Sequence, residues 1–406
     1  MARAEFRSTE RLRPLMADYY CSLGKAAKDR TAPVAWCTSV GPAELLRALG
    51  YEVHFPENHG AMLGALRQAN EYLPRAHALG YSPDICSYLC SDVGAFLAGR
   101  SPLERFGLPG VPKADVLVFN TNQCHDVRHW FEFYGRTWKV PVLGVTSFRD
   151  VDEVTTELVD AVAREFENLI PPLEEVAGAR LDPARLESAL ALSVECSRLW
   201  KDCLDKSASR PSPMSFFDGC IQMGPAVVLR GTEQACAYYR LLLAELEERV
   251  RAGTGAVSGE RFRLYWDGMP IWGKLKDLSS LFERLSACVV ASTYCNSWIF
   301  EALDPADPFR SMARASLELF IARAEGPKER YIERMVDQFQ LDGLLFHDAR
   351  TCPNNSNSRY GMPGRLRERL KLPVLTIDGD LNDLRCYSEE QSKTSIEGFV
   401  EQLAEP

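Results

Sequence analysis

Nowhere in its 406 positions does the chain have a run of about 18 apolar residues, the length a membrane-spanning helix needs. The opening residues, MARAEFRSTERLRPLM, likewise lack the apolar centre of a secretory leader. A cytoplasmic protein with no membrane association is expected. Positive charge is in deficit too: 47 Lys and Arg stand against 56 Asp and Glu, a net charge of −9, which excludes bulk attraction to nucleic acid. There is no G-x-x-x-x-G-K-S/T loop, so ATP binding by this chain is not expected. Nor is there a C-x-x-C pair, which argues against a zinc ribbon. Disorder is excluded by the 46% of hydrophobic residues. What the chain has in excess is cysteine. Thirteen, an odd number, without a secretory leader, read as reduced thiols available to a metal rather than as a disulfide framework.

Short β-rich apolar runs appear at 33–37 (PVAWC), 51–55 (YEVHF), 115–119 (DVLVF) and 141–145 (PVLGV), separated by helical stretches. They do not alternate with polar residues, which suits parallel strands covered on both faces. Residues 151–254 change to long, charged, helix-periodic segments. Strand-like runs then return at 261–268, 287–292, 342–347 and 373–378. The halves echo one another. Asp115-Val-Leu-Val-Phe leads to Cys124 and Asp342-Gly-Leu-Leu-Phe leads to Cys352, with a Pro-Val-Leu strand next in each case. The reading is an α/β protein: an N-terminal helical segment (1–30), a first α/β domain (31–150), a helical connector (151–254) and a second α/β domain (255–406). Each α/β domain is expected to be a flavodoxin-like, four-stranded parallel sheet.

Open parallel sheets bind ligands beyond the carboxyl ends of their strands. Cys37, Cys124, Cys295 and Cys352 all fall at such ends, and Cys86 and Cys90 form an i, i+4 pair near a helix start. The other seven lie within predicted elements, where Cys behaves as a small buried hydrophobe. That bland reading extends to any one of these six loop cysteines taken singly; their joint placement favours a metal site. Thiolates select zinc or iron–sulfur clusters, and ligands drawn from two domains favour a cluster between them. Three thiolates on a cubane leave one iron open for catalysis.

In order along the chain, TSVGPAELLRALG (38–50), DICSYLCSDVG (84–94), VFNTNQC (118–124), VVASTYC (289–295), DGLLFHDARTC (342–352) and SEEQSKTSIEGFVEQL (388–403) resemble the catalytic components of 2-hydroxyacyl-CoA dehydratases and ATP-dependent benzoyl-CoA reductases. Through RPSPMSFFDGCIQMGPAVVLRGTEQACAYYRLL (210–242) the chain looks closest to the larger cluster-bearing reductase subunit. The resemblance implies a 4Fe-4S cluster on Cys86, Cys124 and Cys352 and an acyl-CoA substrate. It also implies a related second subunit and a separate activator that hydrolyses ATP and feeds single electrons. Ring reduction of the benzoyl-CoA type is then the first expectation, with radical dehydration of a 2-hydroxyacyl-CoA the alternative. Cys37, Cys90 and Cys295 would raise the ligand set to six, as an 8Fe-9S double cubane in a related, homodimeric branch requires. A non-catalytic metal-binding or assembly subunit is the competing reading.

Among other residues, His125 is the candidate proton donor, with Asp126 to orient it. For His129 a structural imidazole is at least as good a reading, and His347 ends the strand before Cys352. Trp36, Trp130, Phe131, Tyr134, Trp266, Trp272, Tyr294 and Trp298 cluster near the same places, as an aromatic wall or as ordinary core. Arg359, in the polar stretch 351–365, is a candidate contact for phosphate or cluster sulfide.

Overall fold

The computed structural model describes residues 6–405; the first five residues of the expected N-terminal segment lie outside them. That segment is a helix, Ser8–Asp29. Strands β1 (Val34–Cys37), β2 (Glu52–His54), β3 (Val116–Asn120) and β4 (Val142–Val145) form one parallel sheet in the order β2-β1-β3-β4. Strands β5 (Phe262–Asp267), β6 (Ala287–Ser292), β7 (Gly343–Ala349) and β8 (Val374–Gly379) form a second, ordered β6-β5-β7-β8. The order is the same in each half, as the repeated sequence pattern implies. All the paired strands run parallel.

The missing alternation has a structural cause. In the second sheet, Leu264, Trp266 and Leu345 face the main hydrophobic core, while Tyr265, Leu344 and Phe346 face a smaller cluster behind it with Ile332, Phe339 and Leu366. Both faces are covered, so both parities are apolar. The main core is continuous from Phe6 to Val400 and runs through both sheets and the helices between them.

Those helices are fixed at their starts by side-chain caps. Thr155 accepts from the Leu158 amide ahead of helix Thr156–Asn168, and Asp182 accepts from the Ala184 amide ahead of helix Pro183–Asp205. Ser215 and Asp218 form a reciprocal capping box on Phe216–Gln222. Gly253, left-handed at φ +64°, ends helix Glu233–Ala252. Two buried arginines tie the helices to the sheets. Arg230 pairs with Glu44 (2.7 Å) and donates to the carbonyls of Ser39 (2.9 Å) and Gly41 (2.7 Å), anchoring the loop after β1. Arg263 donates to the carbonyls of Ser207, Ser209 and Phe339. No described helix is long and apolar enough to cross a membrane.

In both sheets the chain turns back past its first strand, so a crevice opens beyond the carboxyl ends of β1 and β3, and another beyond β5 and β7. The cavity described next draws its walls from both.

Candidate metal centre

The cavity holds about 160 Å³ and takes lining residues from beyond the ends of every strand except β4. Cys86, Cys124 and Cys352 all line it. Cys86 immediately precedes helix Ser87–Ala98; Cys124 lies in the turn between β3 and helix Asp126–Trp138; Cys352 follows β7. Residues 264 positions apart are thus tied together: the Ser87 amide donates to Thr351 Oγ1 (3.0 Å). Behind them the buried carboxylate of Asp380, just past β8, accepts from the Ser87 hydroxyl (2.5 Å) and from the Thr351 hydroxyl (2.6 Å) and amide (2.9 Å). Asp126 accepts from the Cys86 amide (3.0 Å), which joins the Cys86 and Cys124 turns.

Among the described residues, the three sulfurs do not all lie within 4.8 Å of one another. Ligands on one zinc, with Zn–S of about 2.3 Å, must fall within about 4.6 Å of each other. The spacing therefore disfavours a single zinc ion on these three sulfurs. Burial, and then the neighbouring thiols of Cys124 and Cys352, hold Cys86 well above the ordinary thiol range. Burial likewise pushes Cys124 up to about 12 and raises Cys352, the latter with help from Cys124. Three half-buried thiols that repel one another once ionised need a cation to compensate their charge. With four thiols lining the cavity and one oxygen of Asp126 committed to a backbone amide, the donor set is rich in soft sulfur, which fits iron–sulfur ligation.

The structure does not bring the other three cysteines to this cavity. Cys37 is fully buried at the end of β1, with its sulfur packed toward Gly41. Cys90 is buried one turn along from Cys86, and Cys295 lies against Gly219 and Cys220. Of the histidines, His125 is exposed and packs on His129 with ring centroids 5.1 Å apart; it does not line the cavity. The expected Asp126–His125 pairing is absent because that carboxylate serves the Cys86 amide. His347 is buried and bonded through Nδ1 to the Met269 carbonyl (2.6 Å). The aromatic residues divide: Trp130, Trp272, Tyr294 and Trp298 line the cavity, while Trp36, Phe131, Tyr134 and Trp266 are core. Arg359 binds Asp348 and the carbonyl of Ala349, bracing the loop that carries Cys352.

Sequence reasoning missed Glu57. This residue lines the cavity at the start of helix Pro56–Ala65; its Oε1 accepts from the Ser39 amide (3.0 Å) and from Gln123 Nε2 (2.9 Å). Its Oε2 is buried without a partner, as is Trp298 Nε1. Burial raises the carboxyl's pKa against these hydrogen bonds. The available signal was the rule applied to the cysteines, since Ser39 and Glu57 also follow the carboxyl ends of strands.

Residues 38–403 match the family model described as 2-hydroxyglutaryl-CoA dehydratase, D-component. The chain belongs to this dehydratase family. It is 31% identical to the (R)-2-hydroxyisocaproyl-CoA dehydratase alpha subunit of Clostridioides difficile, over 96% of this chain and 95% of that one. Identity is 28% to the (R)-phenyllactyl-CoA dehydratase alpha subunit of Clostridium sporogenes (92% and 90% covered) and 28% to a subunit of the benzoyl-CoA reductase of Thauera aromatica (89% and 86% covered). The chain is an enzyme subunit of the 2-hydroxyacyl-CoA dehydratase/benzoyl-CoA reductase type. The expectation that it lies closest to the reductase subunit is corrected, because a dehydratase alpha subunit is more similar. Stretch 210–242 misled for a physical reason. Only Cys220, Met223, Gly224 and Val227 from it line the cavity, while Ser215, Asp218 and Arg230 cap and clamp helices. Likeness carried by such residues reports scaffold rather than substrate.

Proposed function

We propose that the chain is the cluster-bearing subunit of a 2-hydroxyacyl-CoA dehydratase, with Cys86, Cys124 and Cys352 holding a 4Fe-4S cluster. The observation that carries this reading is the convergence of Cys86, Cys124 and Cys352 from both halves on one cavity, which a fourth thiol, Cys220, and a buried carboxyl also line. When bound, such a cluster supplies single electrons and leaves one iron without a protein ligand. The protein's own residues do the rest. Trp130, Trp272, Tyr294 and Met269 wall the cavity against water, which strengthens every charge interaction inside it. Ser39 and Gln123 fix Glu57 Oε1 and leave Oε2 open to the cavity, and burial favours the neutral carboxyl; loss of a hydroxyl as water needs a proton from such a group. Asp380 and Asp126 hold the cysteine turns in register.

Similar proteins are named as alpha subunits, which supports action as one member of a heteromer on an acyl-CoA. A related second subunit and an ATP-hydrolysing electron donor complete the proposed system. Reduction of an aromatic acyl-CoA is the second reading, favoured by the aromatic wall and by the likeness to the benzoyl-CoA reductase chain.

The test is anaerobic purification followed by iron and sulfide analysis and an assay of 2-hydroxyacyl-CoA dehydration with the second subunit and activator. About four irons per chain are expected for one cubane. Cys124→Ala should lose iron and turnover together; a variant that kept both would overturn the ligand assignment. About eight irons would instead support the double cubane.

A further inference from the structure

The cysteine cavity, at about 160 Å³, is too small for a whole coenzyme A ester, since sites for ligands of drug size run to roughly 300–1,000 Å³. A second cavity of about 440 Å³ lies directly behind one wall of it. Ser297 borders both. On either side of Ser297, Tyr294 and Trp298 face the cysteines, whereas Asn296 and Ile299 face the second cavity.

The second cavity is polar, lined by Lys201, Arg323, Arg330 and Arg334 against Asp205, Glu301 and Glu318, a slight excess of positive charge in a chain that is acidic overall. Arg330 and Arg334 line it from one face of helix Glu325–Phe339, four residues apart. Both are exposed, and among the described residues no carboxylate is recorded in an ion pair with either. Two of the three lining acids are engaged elsewhere: Asp205 binds Lys201 (2.6 Å) and Gln338 (2.7 Å), and Glu318 reaches Arg314 (3.4 Å), while the third, Glu301, is exposed at the rim. Between the two arginines Tyr331 presents a ring, set edge-on to Phe320 at 5.5 Å, with the Arg334 guanidinium 5.4 Å from its centroid. Two guanidinium groups without carboxylate partners, beside an aromatic face, form a receptor for a phosphorylated purine nucleotide.

We infer that this cavity takes the adenine nucleotide end of the acyl-CoA substrate, with the flexible arm passing Ser297 to place the thioester among the cysteines. Arg330 and Arg334 hold the phosphates and Tyr331 stacks on the base. This deepens the acyl-CoA reading above and rests on it.

Calorimetric titration of the full chain with free coenzyme A and with dephospho-coenzyme A tests the inference. Arg330→Ala and Arg334→Ala should each weaken coenzyme A binding about tenfold. Removing the 3′-phosphate from the ligand should shrink the effect of at least one of these substitutions. Because both side chains are exposed, the variants should keep the unmodified circular dichroism spectrum. An unchanged affinity in the double variant would place the nucleotide elsewhere and leave the acyl-CoA reading intact. Failure of the unmodified chain to bind coenzyme A would remove both.

Discussion

Glu57 shows how much one side chain's surroundings decide. Its carboxyl is desolvated, one oxygen is held by Ser39 and Gln123, and the other is left open to the cavity. Because burial raises its pKa, the neutral form gains on folding. Its contribution to stability is therefore complete below the unfolded carboxylate value and is lost as pH rises through the raised one. Glu57→Gln mimics the neutral carboxyl in shape but holds no transferable acidic proton. Turnover should fall by about 10²–10⁴-fold, with iron content unchanged and less loss of stability toward high pH in urea titrations. Near-normal turnover would transfer the proton-donor role to another group. The contrast with His125 is instructive: that imidazole sits beside Cys124 in sequence, yet its ring faces solvent and His129.

At the scale of elements, the site is a set of turns held by acceptors on neighbouring strands. Asp380 does most of this. Besides Ser87 and Thr351, its carboxylate accepts the amides of Asn382 and Asp383 (3.0 Å each), so it closes its own turn and grips two others. Asp380→Ala leaves those buried donors without an acceptor, at a cost of about 3 kcal/mol or more. Denaturant midpoints should drop accordingly. Iron release to a chelator, measured well below the unfolding transition, should also accelerate, because Cys86 and Cys352 lose their common tether. A variant that was less stable but released iron at the normal rate would reduce Asp380 to scaffold. Arg230 does the equivalent for the loop carrying Ser39, gripping two of its carbonyls from the connector.

For the whole molecule, the continuous core makes the two halves one cooperative body, and its buried histidines should make that body acid-sensitive. His54 is 1% exposed, lies against Trp36 at 4.7 Å and has no hydrogen bond at either nitrogen. Burial holds its pKa well below the imidazole norm and also lowers that of His347. The unfolded chain takes up these protons near pH 6.5, and the folded one resists doing so. The stability they confer is thus present above about 6.5 and falls as pH drops, by up to about 1.4 kcal/mol per pH unit for each group. Urea midpoints between pH 7 and 5 should trace this decline, and His54→Leu should remove about half of the slope. An unaltered slope would show that His54 stays neutral in both states.

The eight strands, their parallel character and the repeated order of the halves were legible in the sequence, because burial on both faces leaves unbroken apolar runs such as Val116–Asn120 and Ala287–Ser292. Strand ends also marked Cys124 and Cys352, since the chemistry of parallel sheets gathers there. Which cysteines share a cavity was decided only by the tertiary structure. Cys37 and Cys124 both follow strand ends, yet only Cys124 faces the opposing crevice, because the angle at which the two sheets meet has no local signature. The same holds for Glu57, whose role depends on being dried by residues far away in the chain, and for Ser297, which separates two cavities built from distant segments. Local pattern determines elements; packing determines which of their side chains lose water together.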